Sequence, residues 1–66
     1  MSERNPVIDP RPGDELRGDP WRYRVLENDG EEVRYQALYG TLEYIATVSL
    51  SGWRDMAAGL VVEKTA

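Results

Sequence analysis

The sequence contains no cysteine and no histidine. The first absence excludes disulfide scaffolds, thiol nucleophiles and cysteine-based zinc sites. The second removes the commonest general base and the commonest transition-metal ligand. Most side-chain machinery for acid–base or nucleophilic chemistry is therefore missing, and no nucleophile–base pair stands in its place. A non-enzymatic protein is expected, with neither cofactor nor metal. No run approaches the roughly 20 apolar residues that span a bilayer. The opening stretch MSERNPVIDP lacks the apolar core of a secretory signal. These features read as a soluble, cytoplasmic protein.

What is present is short and acidic. Sixty-six residues allow one domain, and a chain of that length buries only about 60% of the surface its unfolded form exposes. Twelve acids against eight bases give a net charge of −4, which disfavours non-specific binding to nucleic acid. Seven of the eight bases are arginine, the residue suited to bidentate recognition of carboxylate and phosphate.

Residues 1–12 hold Pro6, Pro10 and Pro12 and show no periodicity. They read as a flexible arm, with Val7 and Ile8 available to dock on a domain spanning residues 13–66. From Asp14 onward the period is two. Trp21, Tyr23 and Val25 alternate with Arg22, Arg24 and Leu26; Val33, Tyr35 and Ala37 alternate with Glu32, Arg34 and Gln36. Tyr44, Ala46 and Val48 alternate with Glu43, Ile45 and Thr47. These are strand patterns joined by hairpins.

A three-residue loop, Asn28-Asp29-Gly30, is expected to pair Tyr23 with Tyr35 and Val25 with Val33. A type II′ turn at Gly40-Thr41 pairs Ala37 with Tyr44, Tyr35 with Ala46 and Val33 with Val48. The inner face then stacks Trp21–Ala37–Tyr44, Tyr23–Tyr35–Ala46 and a valine layer that lacks bulk. In SLSGWRDMAAG, Ser51 is expected to cap a short helix from Gly52, and Gly59 to end it in the left-handed conformation. That helix would drop Trp53 over the valines as a plug. Leu16, in a first strand over Glu15–Arg17, is expected to pair with a last strand over Leu60–Glu63.

Five short strands, tight connections and one helical turn before the last strand form an order that resembles the SH3-like small barrels, including Tudor-type and KOW-type modules. The resemblance covers about residues 12–64 and includes the RPGDELR lead-in to the first strand. It implies a mainly β, five-stranded small barrel with a short helix or 3₁₀ turn before the last strand. ALYG at Ala37–Gly40 stands at the end of the third strand and lacks the acidic residue and second tyrosine of the peptide-groove motif.

Arg22, Arg24 and Arg34 fall on the outer face, with Arg24 and Arg34 expected as cross-strand neighbours. Such a pair on an acidic protein suits an anionic partner. Leu26, Leu38 and Ile45 share that face, where covering by the N-terminal arm or the barrel's curvature is favoured over contact with another molecule. Glu27, Asp29, Glu31 and Glu32 crowd a hairpin tip without EF-hand spacing. Trp21 lies at the rim of the core, where an aromatic side chain packs, the favoured reading, or offers a stacking surface to a partner. The expected function is a small interaction module, monomeric or weakly dimeric. It would bind a macromolecule, protein in preference to nucleic acid, through Arg22, Arg24 and Arg34 or through Trp21. The alternative is an acidic inhibitor or decoy of the phage type, with Asp14, Glu15, Asp19 and the tip acids mimicking a phosphate backbone.

Overall fold

The computed structural model describes residues 4–66. Its elements are β1 (Glu15–Gly18), β2 (Trp21–Asn28), β3 (Glu32–Tyr39), β4 (Leu42–Ser49), α1 (Leu50–Ala57) and β5 (Val61–Lys64). The strands form one antiparallel sheet in the order β4-β3-β2-β1-β5. The mainly β architecture and the helix before the last strand are as expected, and β1 pairs with β5. The sheet stays open, with β4 and β5 as its edges. Barrel closure requires strands that share tilt and stagger, and β1 and β5 have four residues each against eight in the other three.

The β3–β4 hairpin has the register that Gly40-Thr41 dictates, including Ala37–Tyr44, Tyr35–Ala46 and Val33–Val48. Gly40 takes the positive φ, 59°, that the first turn position demands. The β2–β3 hairpin departs from expectation. Tyr23 faces Ala37 and Val25 faces Tyr35; past a bulge at Leu26 the pairs become Glu27–Arg34 and Asn28–Val33. The cause lies at the tip, where the Asp29 carboxylate accepts from the N–H groups of Glu31 and Glu32, both at 2.8 Å. Asp29 N also donates to Glu32 O at 3.2 Å. The turn therefore closes around Gly30-Glu31, with Gly30 at φ 92°, and the bulge absorbs the odd residue. Before the bulge the register differs by two residues from expectation, which leaves each side chain on its own face. The inner layers become Leu16–Tyr23–Ala37–Tyr44, Val25–Tyr35–Ala46 and Asn28–Val33–Val48.

The helix begins two residues earlier than expected. Ser49, not Ser51, is its cap, accepting from Gly52 N at 3.1 Å. Leu50 N donates to Glu31 O at 2.8 Å, which pins the helix start against the β2–β3 tip. At the other end Ala58 stays right-handed and Leu60 N bonds Ala57 O at 3.0 Å, so Gly59 is not the left-handed terminator expected of it. The first turn lies close on β4: a Cβ at Gly52 would sit 2.8 Å from Val48 Cγ2.

Leu16, Val33, Ala37, Trp53 and Ala57 are fully buried, with Val25 and Tyr35 nearly so. Trp53 stacks obliquely on Tyr35, ring centroids 5.6 Å apart, and is the plug the valine layer called for. Burying an indole of roughly 150–250 Å² contributes about 4–6 kcal/mol before entropy. The ring also has a role the strand pattern does not show. Its Nε1–H donates to Pro6 O at 3.0 Å, while Arg54 Nε donates to Ile8 O at 2.9 Å and Asn28 Nδ2 to Pro10 O at 2.9 Å. Of the segment read as a flexible arm, residues 1–3 lie outside the described residues. Residues 4–12 are laid against the domain, with Val7 packed on the core and Ile8 exposed.

Asp14 anchors this layer. Its buried carboxylate accepts from both terminal nitrogens of Arg4 at 2.5 and 2.7 Å, from Arg11 N at 2.8 Å and from Ala66 N at 2.7 Å. Burial pushes its pKa up, but the Arg4 guanidinium and the two backbone donors outweigh that and hold it below the ordinary carboxylate value.

Candidate interaction surface

The outer face carries Arg22, Arg24 and Arg34, all exposed, but the expected contact between Arg24 and Arg34 does not form. The shifted register puts Arg24 opposite Gln36 on one side and Glu15 on the other, with an ion pair to Glu15 at 3.7 Å. Arg34 lies opposite Glu27 and Thr47. The like-charge neighbours are instead Arg17 and Arg22, and Arg17 is held by Glu63 at 3.2 Å and Asp19 at 3.4 Å. Across this face and its margin Arg17, Arg22, Arg24, Arg34 and Lys64 are interspersed with Glu15, Glu27, Glu32, Glu43 and Glu63. Exposed pairs of this kind contribute about 0–1 kcal/mol each. The face has no excess of positive charge with which to hold an anion. Leu26 and Leu38 are half-buried there, whereas Ile45 is exposed.

The acids at the β2–β3 tip are partly engaged within the turn. Asp29 has its pKa lowered by the backbone donors of Glu32 and then Glu31, and Asn28 Oδ1 accepts from Gly30 N at 2.9 Å. No group of acidic residues that could hold a metal ion occurs among the described residues. No helix among them is long and apolar enough to cross a membrane.

The inner face divides in two. Helix α1 and the proline-rich segment cover the half built on Val25, Val33 and Tyr35. Among the described residues the far end of the face, beyond buried Leu16 and Ala37, is the more open one. There Trp21 meets Tyr39 edge-on at 5.1 Å and Tyr44 at 5.7 Å. Tyr39 is 42% exposed, Tyr44 49% and the adjoining Leu42 62%. The sheet of the described residues does not close over Tyr44, so a residue patterned for the core stands at the surface. Edge-to-face rings hold one another in place, which reduces the side-chain entropy a partner would have to remove. Deeper in the sheet, burial raises the pKa values of Tyr23 and Tyr35, with the neighbouring Tyr44 phenol adding to both. These two hydroxyls remain protonated and neutral across the physiological range.

Trp21 is the one candidate that the structure brings into a cluster, half-buried among partners. Tyr39, Leu42 and Tyr44 complete that cluster, and period-two alternation marks Tyr44 only as a core residue. Comparison with protein-family models, with curated proteins and with solved structures finds no match to this chain.

Proposed function

We propose that the chain is a small non-enzymatic interaction module that binds a protein partner through the aromatic end of its inner sheet face. The observation that carries this is the cluster in which half-buried Trp21 meets the exposed Tyr39 and Tyr44, with exposed Leu42 beside them. Aromatic side chains supply large contact area at low entropy cost and dominate binding hot spots. The element order supports reading the fold as an open member of the SH3-like small barrels. Fold likeness does not assign function, so the site has to carry the proposal. Protein is favoured over nucleic acid because the net charge is −4 and the outer-face arginines are interspersed with acids.

The test is affinity capture from the source lysate, with and without nuclease, using wild type, Leu42→Lys and the double reversal Arg24→Glu/Arg34→Glu. The expected result is a saturable, nuclease-resistant protein lost with Leu42→Lys and kept with the double reversal. Capture that needs the arginines or disappears with nuclease would overturn the proposal. Loss on reversing Glu27 and Glu31 would point instead to the acidic inhibitor.

A further inference from the structure

The two edges of the sheet differ sharply. β5 is four residues long and carries Glu63 and Lys64, which suits the short, charged edges that block strand addition. β4 has eight residues, no proline and one charge, Glu43, and no strand among the described residues covers its free side. Leu42, Tyr44 and Ile45 along it are 62%, 49% and 54% exposed.

Because Tyr39 and Leu42 close a two-residue turn, they form a hydrogen-bonded pair. Alternation then directs the backbone groups of Glu43, Ile45 and Thr47 away from β3. We infer that β4 pairs antiparallel with the β4 of a second copy of this chain, about a two-fold axis at Ile45, joining two sheets into one of ten strands. This does not rest on the binding function proposed above.

Four features select a second copy and this register. Ile45 meets Ile45 of the partner copy, Tyr44 meets Ala46 and Leu42 meets Val48. Large thus faces small, as in the Tyr35–Ala46 and Ala37–Tyr44 pairs within the sheet. Glu43 faces Thr47, and the two Glu43 residues stand four residues apart along the ladder, roughly 14 Å, beyond a Debye length of about 8 Å at physiological salt. Sliding the register by four residues would instead oppose Glu43 to itself. Lastly, α1 follows directly from Ser49, so antiparallel pairing brings the helix-covered half of one inner face beside the more open end of the other. Trp21, two strands in from the edge, remains reachable.

A standard interface buries about 800 Å² per partner from 20–30 residues. One eight-residue strand and its neighbours fall short of that, so the dimer is weak and its population depends on concentration.

Sedimentation equilibrium from micromolar to millimolar protein tests this, with Ile45→Lys, Ile45→Cys and Glu43→Cys as variants. The expected mass rises from 7.5 kDa toward twice that value. Ile45→Lys stays monomeric with an unchanged far-UV spectrum and melting temperature. Under oxidation Ile45→Cys forms an intermolecular disulfide, since hydrogen-bonded partners lie about 5.5 Å apart at Cα, within disulfide range, whereas Glu43→Cys does not. A monomer at every concentration would overturn the inference, whatever other chain then occupies the edge. So would a dimer that survives Ile45→Lys, or cross-linking through Glu43→Cys in place of Ile45→Cys.

Discussion

Replacing Trp53 separates its two roles, filling the core and holding the proline-rich segment. The ring is fully buried, touches Tyr35 and donates one hydrogen bond to Pro6 O. Trp53→Ala removes all three contributions and leaves a cavity, at a cost of about 3–5 kcal/mol. A domain of this size has roughly 3–10 kcal/mol of stability in total, so that variant is expected to be largely unfolded. Trp53→Phe is the more informative change. It keeps most of the packing but deletes the donor, leaving Pro6 O without its partner and a smaller void. The hydrogen bond contributes about 0.5–1.5 kcal/mol, and the lost ring volume adds a similar amount. A total near 2 kcal/mol lowers the melting temperature by roughly 8–16 °C in so small a domain. Thermal unfolding followed by circular dichroism measures that shift, and hydrogen exchange at Val7 and Ile8 reports whether the segment has loosened. If Trp53→Ala stayed folded within a few degrees of wild type, the plug reading would be wrong. If Trp53→Phe left exchange at Val7 and Ile8 unchanged, the tie to Pro6 would be wrong.

Three further outcomes follow from particular contacts. Asp14 has a folded pKa below its unfolded value, so its contribution is present above about pH 4 and is lost as pH falls through the lower folded value. Asp14→Asn is expected to cost about 1.5–3 kcal/mol at pH 7 and to flatten the acid limb of a urea-stability profile; an unaltered limb would refute it. Gly52→Ala gains about 1 kcal/mol of helix propensity but sets a methyl 2.8 Å from Val48 Cγ2, an overpacking that costs about 1–3 kcal/mol. The expected net is a lower denaturant midpoint. Ser49→Ala is expected to cost about 1 kcal/mol as the loss of a cap, whereas Ser51→Ala, at a position that does not cap, stays close to wild type by the same measurement.

The parts of the fold that were legible are those where one residue type permits one geometry. Gly40-Thr41 admits a single tight turn, so the β3–β4 register follows. Trp53 has only one place to go in a sheet whose valine layer lacks volume. The β2–β3 register was not legible because Gly30 satisfies several turns, and choosing among them depends on Asp29 reaching the N–H groups of Glu31 and Glu32. A bulge at Leu26 leaves no periodic trace either, since one skipped residue resembles noise in a short strand. Ser49 and Ser51 both qualify as caps by type; the tie of Leu50 to Glu31 O decides between them. Arg4 and Asp14 are ten residues apart across three prolines, where no pattern relates them. The candidate site was half legible. Trp21 stood out at the rim, but Tyr39, Leu42 and Tyr44 become a surface only because the sheet stays open, a tertiary outcome that alternation does not encode.

Under the proposed function the two tryptophans have opposite roles, one holding the fold and one offered to a partner. Indole N–H exchange in deuterated buffer, read from the two side-chain signals of a ¹⁵N spectrum, tests that division directly. Trp53 Nε1, buried and bonded to Pro6 O, is expected to exchange only on opening of the domain. Trp21 Nε1, which has no hydrogen-bond partner among the described residues, is expected to exchange before the first spectrum. Two indole signals decaying together at the slow global rate would show that Trp21 is core, and the proposed interaction surface would be lost with it.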